Sequence, residues 1–227
     1  MKGDFDYERS TLKAYTTAER AEDYKRYNTR GITIGRIVTW FQQRAIAREL
    51  RRYRWTVSDT LLDIPCGTGV LGPLLGSFPF RVVASDISHA MIELGEPEYP
   101  SDRLLGCVQS DLTRPPFSDK AFDCVVCLSF MHRVPPEIKK QALASLYRLT
   151  RRIAVISCAV DTKTQRMKHG LLARIRRKHV PAPCPESLGE MALRCEEAGF
   201  HVKRKFNVLP LLSSHAILIL ERPTHKR

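Results

Sequence analysis

No stretch of this chain is apolar for the ~18 residues that a membrane-spanning helix needs. The longest apolar run, HAILILE, is strand-sized. The N-terminal segment MKGDFDYERS is polar and acidic, unlike a signal or transit peptide, so a cytoplasmic protein is expected. No internal repeat and no low-complexity tract is present. Cysteines number seven, an odd count scattered through apolar segments, which suits buried reduced thiols rather than a disulfide framework. Cys124 and Cys127 form a nominal C-x-x-C pair, but both fall inside the apolar run FDCVVCLSF. An offset of three on a strand sends their side chains to opposite faces, so neither a metal nor a redox pair is expected. Negative charge is the scarcest commodity: 24 Asp and Glu stand against 37 Lys and Arg, a formal charge of +13. Such a balance favours an anionic partner (nucleic acid, a membrane surface, a phosphorylated or carboxylated substrate) or simply a solvated basic surface.

What the chain does contain is a core. It has 227 residues, 43% of them hydrophobic, enough for one α/β domain with additions. Residues 17–28 read as a short polar helix. The next segment, IGRIVTWFQQRAIARELRRYRW, has Ile34, Ile37, Val38, Phe41, Ala45, Ile46 and Leu50 at helical spacing, with arginines behind them. From residue 60 the texture alternates between strands and helices. TLLDI, RVVASD, LLGCVQSD, AFDCVVCLSF and RIAVISCAV read as strands, VLGPLLGSF, SHAMIELG and PEIKKQALASLYRLT as intervening helices. After PESLGEMALRCEEAGF, a further helix, HVKRKFNVL and SSHAILILER are joined by too few residues for a helix and form a hairpin. The expected fold is α/β: a doubly wound, seven-stranded, mostly parallel sheet with one antiparallel strand near the C-terminus, plus N-terminal helices. The expected organisation is an N-terminal helical cap over 1–58 and a main domain over 59–227, with a basic insertion around 161–183.

In such sheets ligands lie beyond the carboxyl ends of the strands, where strand order reverses. The first strand ends in LLDIPCGTGVLG, which formally satisfies G-x-G-x-x-G through Gly67, Gly69 and Gly72. Gly67 and Gly69 permit positive φ and a close backbone approach by a ligand. The helix that follows offers unpaired N–H groups to a carboxylate or phosphate. Asp63, just before the turn, suits an ammonium group and repels a pyrophosphate, so an amino-acid moiety fits better than a dinucleotide. Asp86 ends the second strand, where a carboxylate accepts both ribose hydroxyls. Asp111 follows the third, where it accepts from an adenine amino group, with the Leu112 N–H beside it.

Taken together, LLDIPCGTG, ASDISHAMIELG, QSDLTRPPFSDKAFDCVVCLSFMHRVP and the terminal EEAGF…SSHAILIL resemble the successive motifs of class I S-adenosylmethionine-dependent methyltransferases. The resemblance runs from about residue 60 to 221 and is strongest up to 135. It implies S-adenosylmethionine as cofactor and S-adenosylhomocysteine as product. It also implies a cofactor site of Asp63, Pro65, Cys66, Gly67, Gly69, Asp86, Ile87, Asp111, Leu112 and Leu128, the last through a backbone carbonyl. Two departures stand out: Pro65 occupies the place of the family's usual first glycine, and the glycine pair before the fifth strand is missing.

His132 follows the fourth strand, where the acceptor pocket of this family opens, and is the candidate general base. A polar pocket wall is the plainer alternative. Tyr24 and Tyr27 are candidates to cap the cofactor carboxylate. The segment KTQRMKHGLLARIRRKHVPAPCP has seven cationic residues between 163 and 178 and no acid, with an apolar stripe of Leu171, Leu172 and Ile175. A basic amphipathic helix there would cover an anionic acceptor, lie peripherally on a membrane, or grip RNA. The function expected is methyl transfer to oxygen or nitrogen of a small-molecule or lipid-like acceptor, an anionic one included. An RNA methyltransferase and a non-catalytic cofactor-binding partner are the alternatives. A short-chain nicotinamide oxidoreductase needs Tyr-x-x-x-Lys, which no tyrosine here provides.

Overall fold

The computed structural model describes residues 17–29, 34–160, 184–209 and 213–223. The basic segment 163–178 and the side chains of Tyr24 and Tyr27 lie outside what is described. Two N-terminal helices, α1 (Ala18–Thr29) and α2 (Ile34–Leu50), precede the sheet. The sheet comprises β1 (Thr60–Asp63), β2 (Arg81–Asp86), β3 (Leu104–Gln109), β4 (Phe122–Cys127), β5 (Thr150–Ala159), β6 (His201–Asn207) and β7 (His215–Glu221). Between them lie α3 (Gly72–Leu75), α4 (His89–Gly95), α5 (Pro136–Leu149) and α6 (Leu188–Glu197).

Strand order is β3-β2-β1-β4-β5-β7-β6. All neighbours pair in parallel except β7, which runs antiparallel to both β5 and β6. The hairpin expected at the C-terminus thus folds back so that β7 fills the slot between β5 and β6. From β1 the chain winds outward to β3, then returns to the other side of β1 to lay down β4. The reversal falls between β1 and β4, and their carboxyl ends part to leave a crevice.

Period-two alternation builds two cores, one on each face of the sheet. Cys124, Val126, Ile153, Val155, Ile217 and Ile219 face the layer of α2, α3 and α4. Val125, Cys127, Ala154, Ile156, Leu218 and Leu220 face α5 and α6. Cys124 and Cys127 therefore sit on opposite faces, and burial pushes both thiols well up. Among the described residues, no cluster of groups able to hold a metal occurs. Helix ends follow local chemistry: Pro136 opens α5 at its first turn, and Ser187 with Glu190 forms a reciprocal capping box on α6.

Two expectations change. The helix after the glycine turn is one turn only, because Gly72, Pro73 and Gly76 crowd it and Pro79 follows. Its dipole therefore contributes no anion site. Helix α2 is also rotated from its expected facing: Ile37 and Phe41 are exposed, while Gln42 and Glu49 turn inward beside Val38, Ile46 and Leu50. The inward glutamine faces a cleft, and the inward glutamate is held by arginines on three sides. Ile46 and Leu50 share the core of Leu61 and Val82, so α2 is packed into the main body rather than laid over it.

Candidate functional site

At the crevice between β1 and β4 lies a cleft of about 1140 Å3, counting its open mouth. The glycine turn forms its floor. Gly67 (φ 53°) and Gly69 (φ 71°) take left-handed conformations, and the Ile64–Pro65 peptide is cis. The two glycines serve different ends. Gly67 lies on the cleft wall, whereas Gly69 packs away from it, and a Cβ at Gly69 would stand 2.4 Å from the Gly95 carbonyl oxygen. A Cβ at Gly95 would in turn meet the Gly67 oxygen at 2.7 Å. The end of α4 and the turn are thus in backbone contact, which only glycine on both sides permits. Gly72 is likewise a packing position, with a Cβ there 2.5 Å from the Glu98 oxygen.

Asp86 organises this turn. Its Oδ2 accepts the Gly67 N–H at 2.8 Å and its Oδ1 the Ser88 N–H at 3.0 Å. Burial raises its pKa, and those two amides act in the opposite direction. Asp63 at the end of β1 is also buried, and the Tyr99 hydroxyl donates to its Oδ2 at 2.7 Å. Desolvation pushes the Asp63 pKa up to about 7; the tyrosine hydrogen bond lowers it and nearby Asp86 raises it further. Asp63 thus sits at the edge of ionisation in neutral solution, poised to respond to a cation placed in the cleft. Cys66 also lines the wall, but burial drives its thiol far up, leaving it unreactive.

Most of the site read from the sequence converges here. Asp63, Pro65, Cys66 and Gly67 line the cleft from the first turn, Asp86 and Ile87 from the second strand end, and Leu112 and Leu128 from the third and fourth. Gly69 and Asp111 do not line it. Asp111 lies between two lining residues, Ser110 and Leu112, and its Oδ1 accepts the Thr113 N–H at 2.8 Å. His132 does not reach the wall either. It lies in a 3-10 turn (Met131–Arg133), packed edge-on against His215 at 5.8 Å, and its Nδ1 has no partner. Burial, with His215 and Lys139 nearby, lowers its pKa to about 4, which makes it a poor proton acceptor at neutral pH. The geometry therefore does not carry the general-base assignment. Its neighbour Arg133 lines the cleft instead.

Several contributors were not foreseen. Helix α2 forms a wall through Thr39, Gln42 and Gln43, and Gln43 Nε2 ties it to the glycine turn by donating to the Val70 oxygen at 2.7 Å. Helix α1 is fastened by Lys25, which donates to the Leu94 oxygen and pairs with Glu98, both at 2.8 Å. Ser129, just past β4, is held at φ 57°, a rare conformation for a non-glycine residue, on the cleft wall. Two residues of the cleft wall each carry a buried side-chain atom without a hydrogen-bond partner: Thr68 Oγ1 and Gln42 Nε2. A buried polar group left unpaired costs about 1–3 kcal/mol, and both of these residues border the cleft.

Residues 62–158 match the family model described as a methyltransferase domain. Part of the chain is similar to a demethylmenaquinone methyltransferase of Clavibacter sepedonicus, 35% identical over 82 residues, which is 36% of this chain and 33% of that protein. A demethylmenaquinone methyltransferase of Renibacterium salmoninarum is 33% identical over 111 residues, 45% of each chain. The chain thus spans less than half the length of the curated relatives it matches. Among solved structures, the magnesium protoporphyrin IX methyltransferase of Synechocystis PCC 6803 with bound SAH has a TM-score of 0.79 at 15% identity, covering 95% of this chain and 100% of that one. A TehB-like SAM-dependent methyltransferase of Corynebacterium glutamicum has a TM-score of 0.60 at 17% identity, covering 91% and 100%. At these identities the likeness is one of fold. Residues 62–158 thus form a methyltransferase domain, and the sheet order around it is the Rossmann-like fold of these neighbours.

Proposed function

We propose that this chain binds S-adenosylmethionine in the cleft at the β1–β4 reversal and transfers its methyl group to a small-molecule or lipid-like acceptor. The observation that carries the cofactor assignment is buried Asp63 lining the cleft beside the Gly67 turn, with Thr68 and Gln42, each holding an unpartnered buried polar atom, among the lining residues. An amino-acid tail answers all three: its carboxylate accepts from the threonine hydroxyl and the glutamine amide, and its ammonium pairs with Asp63. A pyrophosphate would meet two buried carboxylates, Asp63 and Asp86, and be repelled.

When bound, the cofactor supplies a methyl group on a sulfonium, a good leaving group. The chain's own residues then position it. Asp86 keeps lone pairs for ribose hydroxyls beyond the two amides it already accepts. Ile87 and Leu112 offer apolar surface to the adenine, and the Leu128 carbonyl is assigned to the ammonium. Asp111 is assigned to the adenine amino group from just outside the wall. The acceptor is assigned to the side of Ser129, Phe130 and Arg133, which line the cleft just past β4. With His132 off the wall, the proposed rate enhancement comes from in-line positioning and not from acid–base assistance. Acceptors that are already nucleophilic fit this arrangement, the oxygen or nitrogen groups expected from the sequence among them. The quinone in the names of the curated relatives and the porphyrin in that of a structural neighbour support a small or lipid-like acceptor.

Calorimetry with S-adenosylhomocysteine and with NAD tests the cofactor; binding of NAD in preference would refute it. Labelled methyl transfer in fractionated extract tests the acceptor. Label in the lipid or small-molecule fraction is expected, label in RNA would overturn the acceptor class, and no label despite cofactor binding would favour a non-catalytic partner.

A further inference from the structure

Helix α2 presents two unlike faces. Thr39, Gln42 and Gln43 look into the cleft, while Ile37, Trp40 and Phe41 are 42%, 49% and 37% exposed on the other side. These three follow i, i+3, i+4 spacing and share one stripe, which Arg44, Arg48 and Arg51 continue toward the C-terminus. The Trp40 and Phe41 rings meet edge-on at 4.8 Å, and the Arg44 guanidinium lies 4.7 Å over the Trp40 ring. The only acid between residues 34 and 52 is Glu49, buried and engaged by Arg48, Arg52 and Arg204 at 3.5, 3.2 and 3.6 Å. The exposed stripe therefore has an apolar half, a cationic half and no carboxylate.

We propose that this outer face of α2 docks onto an anionic membrane surface. An interfacial helix needs an apolar stripe for the acyl boundary, aromatic rings for the headgroup level and cations for lipid phosphates, and α2 supplies all three along one side. A second copy of the chain fits less well, because burying this stripe against itself would take the arginines of both copies out of water with no carboxylate on the stripe to pair them. An RNA strand fits less well because Ile37 and Phe41 give nothing to phosphates and Arg44 already covers Trp40. Docking here sets the cleft about one helix diameter, roughly 10–12 Å, from the lipid headgroups. The inference does not depend on the acceptor: a soluble acceptor would leave it standing.

The test uses the full chain and vesicles of phosphatidylcholine with and without phosphatidylglycerol. Trp40 and Trp55 are the only tryptophans, so Trp55→Phe makes Trp40 emission the reporter. Expected are partitioning onto phosphatidylglycerol vesicles, a blue shift and quenching of Trp40 by brominated lipid. Trp40→Ala with Phe41→Ser lowers the partition coefficient at least tenfold. Arg44→Gln and Arg51→Gln each lower it about fivefold at low salt. Affinity for S-adenosylhomocysteine stays the same in all of these, which shows that the fold is intact. No partitioning, equal partitioning by the double variant, or salt-insensitive binding to pure phosphatidylcholine overturns the proposal. So does dimerisation or RNA-oligomer binding that depends on Trp40 and Phe41 while vesicles are ignored. Failure of the wild type to bind S-adenosylhomocysteine would strike the cofactor assignment instead, whatever the vesicles show.

Discussion

Cofactor affinity should follow the ionisation of Asp63, and Tyr99 should set where that happens. With its pKa pushed to about 7, the ionised fraction of Asp63 rises about tenfold between pH 6 and pH 8. If the carboxylate pairs with the ligand ammonium, affinity for S-adenosylhomocysteine rises by the same factor, and binding near neutrality releases a proton. Tyr99→Phe removes the 2.7 Å hydrogen bond that holds the pKa down. A hydrogen bond to a charged buried group contributes about 1.5–3 kcal/mol, and at ~1.36 kcal/mol per unit the midpoint moves up by one to two units. At pH 7 the ionised fraction then falls from about a half to roughly 1–10%, a loss of about five- to fiftyfold in affinity that alkaline buffer recovers. Calorimetry across pH, in buffers of different ionisation enthalpy, reads both affinity and proton release. A wild-type affinity flat between pH 6 and pH 8 would refute the pairing. A Tyr99→Phe curve superimposed on the wild type would refute the role of the tyrosine.

The same carboxylate affects stability with the opposite outlook. Because its folded pKa lies above the unfolded value of 3.8, its stabilising contribution is complete below that value and is lost as pH rises to about 7. Melting of the apo protein against Asp63→Asn should show the variant gaining ground steadily across that window; a pH-independent difference would contradict it. Asp86→Ala strands the Gly67 and Ser88 amides, and at about 1–3 kcal/mol per unpaired buried donor it should lower stability by about 2–6 kcal/mol and abolish cofactor binding. Unchanged binding by calorimetry would place the ribose elsewhere. Gly95→Ala should destabilise by more than about 1 kcal/mol, overriding the gain in helix propensity, because the new Cβ meets backbone of the glycine turn. A neutral or higher melting temperature would show that the turn yields. Thr68→Val should raise apo stability by about 1 kcal/mol, since it removes an unpaired hydroxyl, and weaken S-adenosylhomocysteine several-fold. A gain in both would dissociate that hydroxyl from the ligand.

The strand ends were legible because each motif is local. An apolar run stopped by Asp63, Asp86 or Asp111 marks where a parallel strand delivers its carboxylate. The last two strands had too little chain between them for a crossover, so one had to run antiparallel. Where the reading went astray, the deciding force was not local. Apolar spacing on α2 matched several facings equally well, and tertiary packing chose the one that exposes Ile37 and Phe41. Glycines and prolines around α3 signalled punctuation, yet the surrounding leucines suggested a longer helix than four residues. His132 sat at the right place in the chain, but its ring packs edge-on against His215 and does not line the cleft. Tyr99 gave no sequence signal at all, being 36 residues from the aspartate it serves.

The division has a physical basis. Periodicity, turn residues and charge at strand ends act over a few residues, so the sequence by itself determined the mostly parallel α/β sheet, the glycine turn and the carboxylates at the strand ends. Burial, by contrast, is a property of the assembled layers. Only the tertiary structure decided that Asp63 lies at the edge of ionisation and that Asp86 holds the turn while it faces the cleft. It likewise left Thr68 and Gln42 without partners on the cleft wall, and turned an aromatic, arginine-rich stripe of α2 toward solvent.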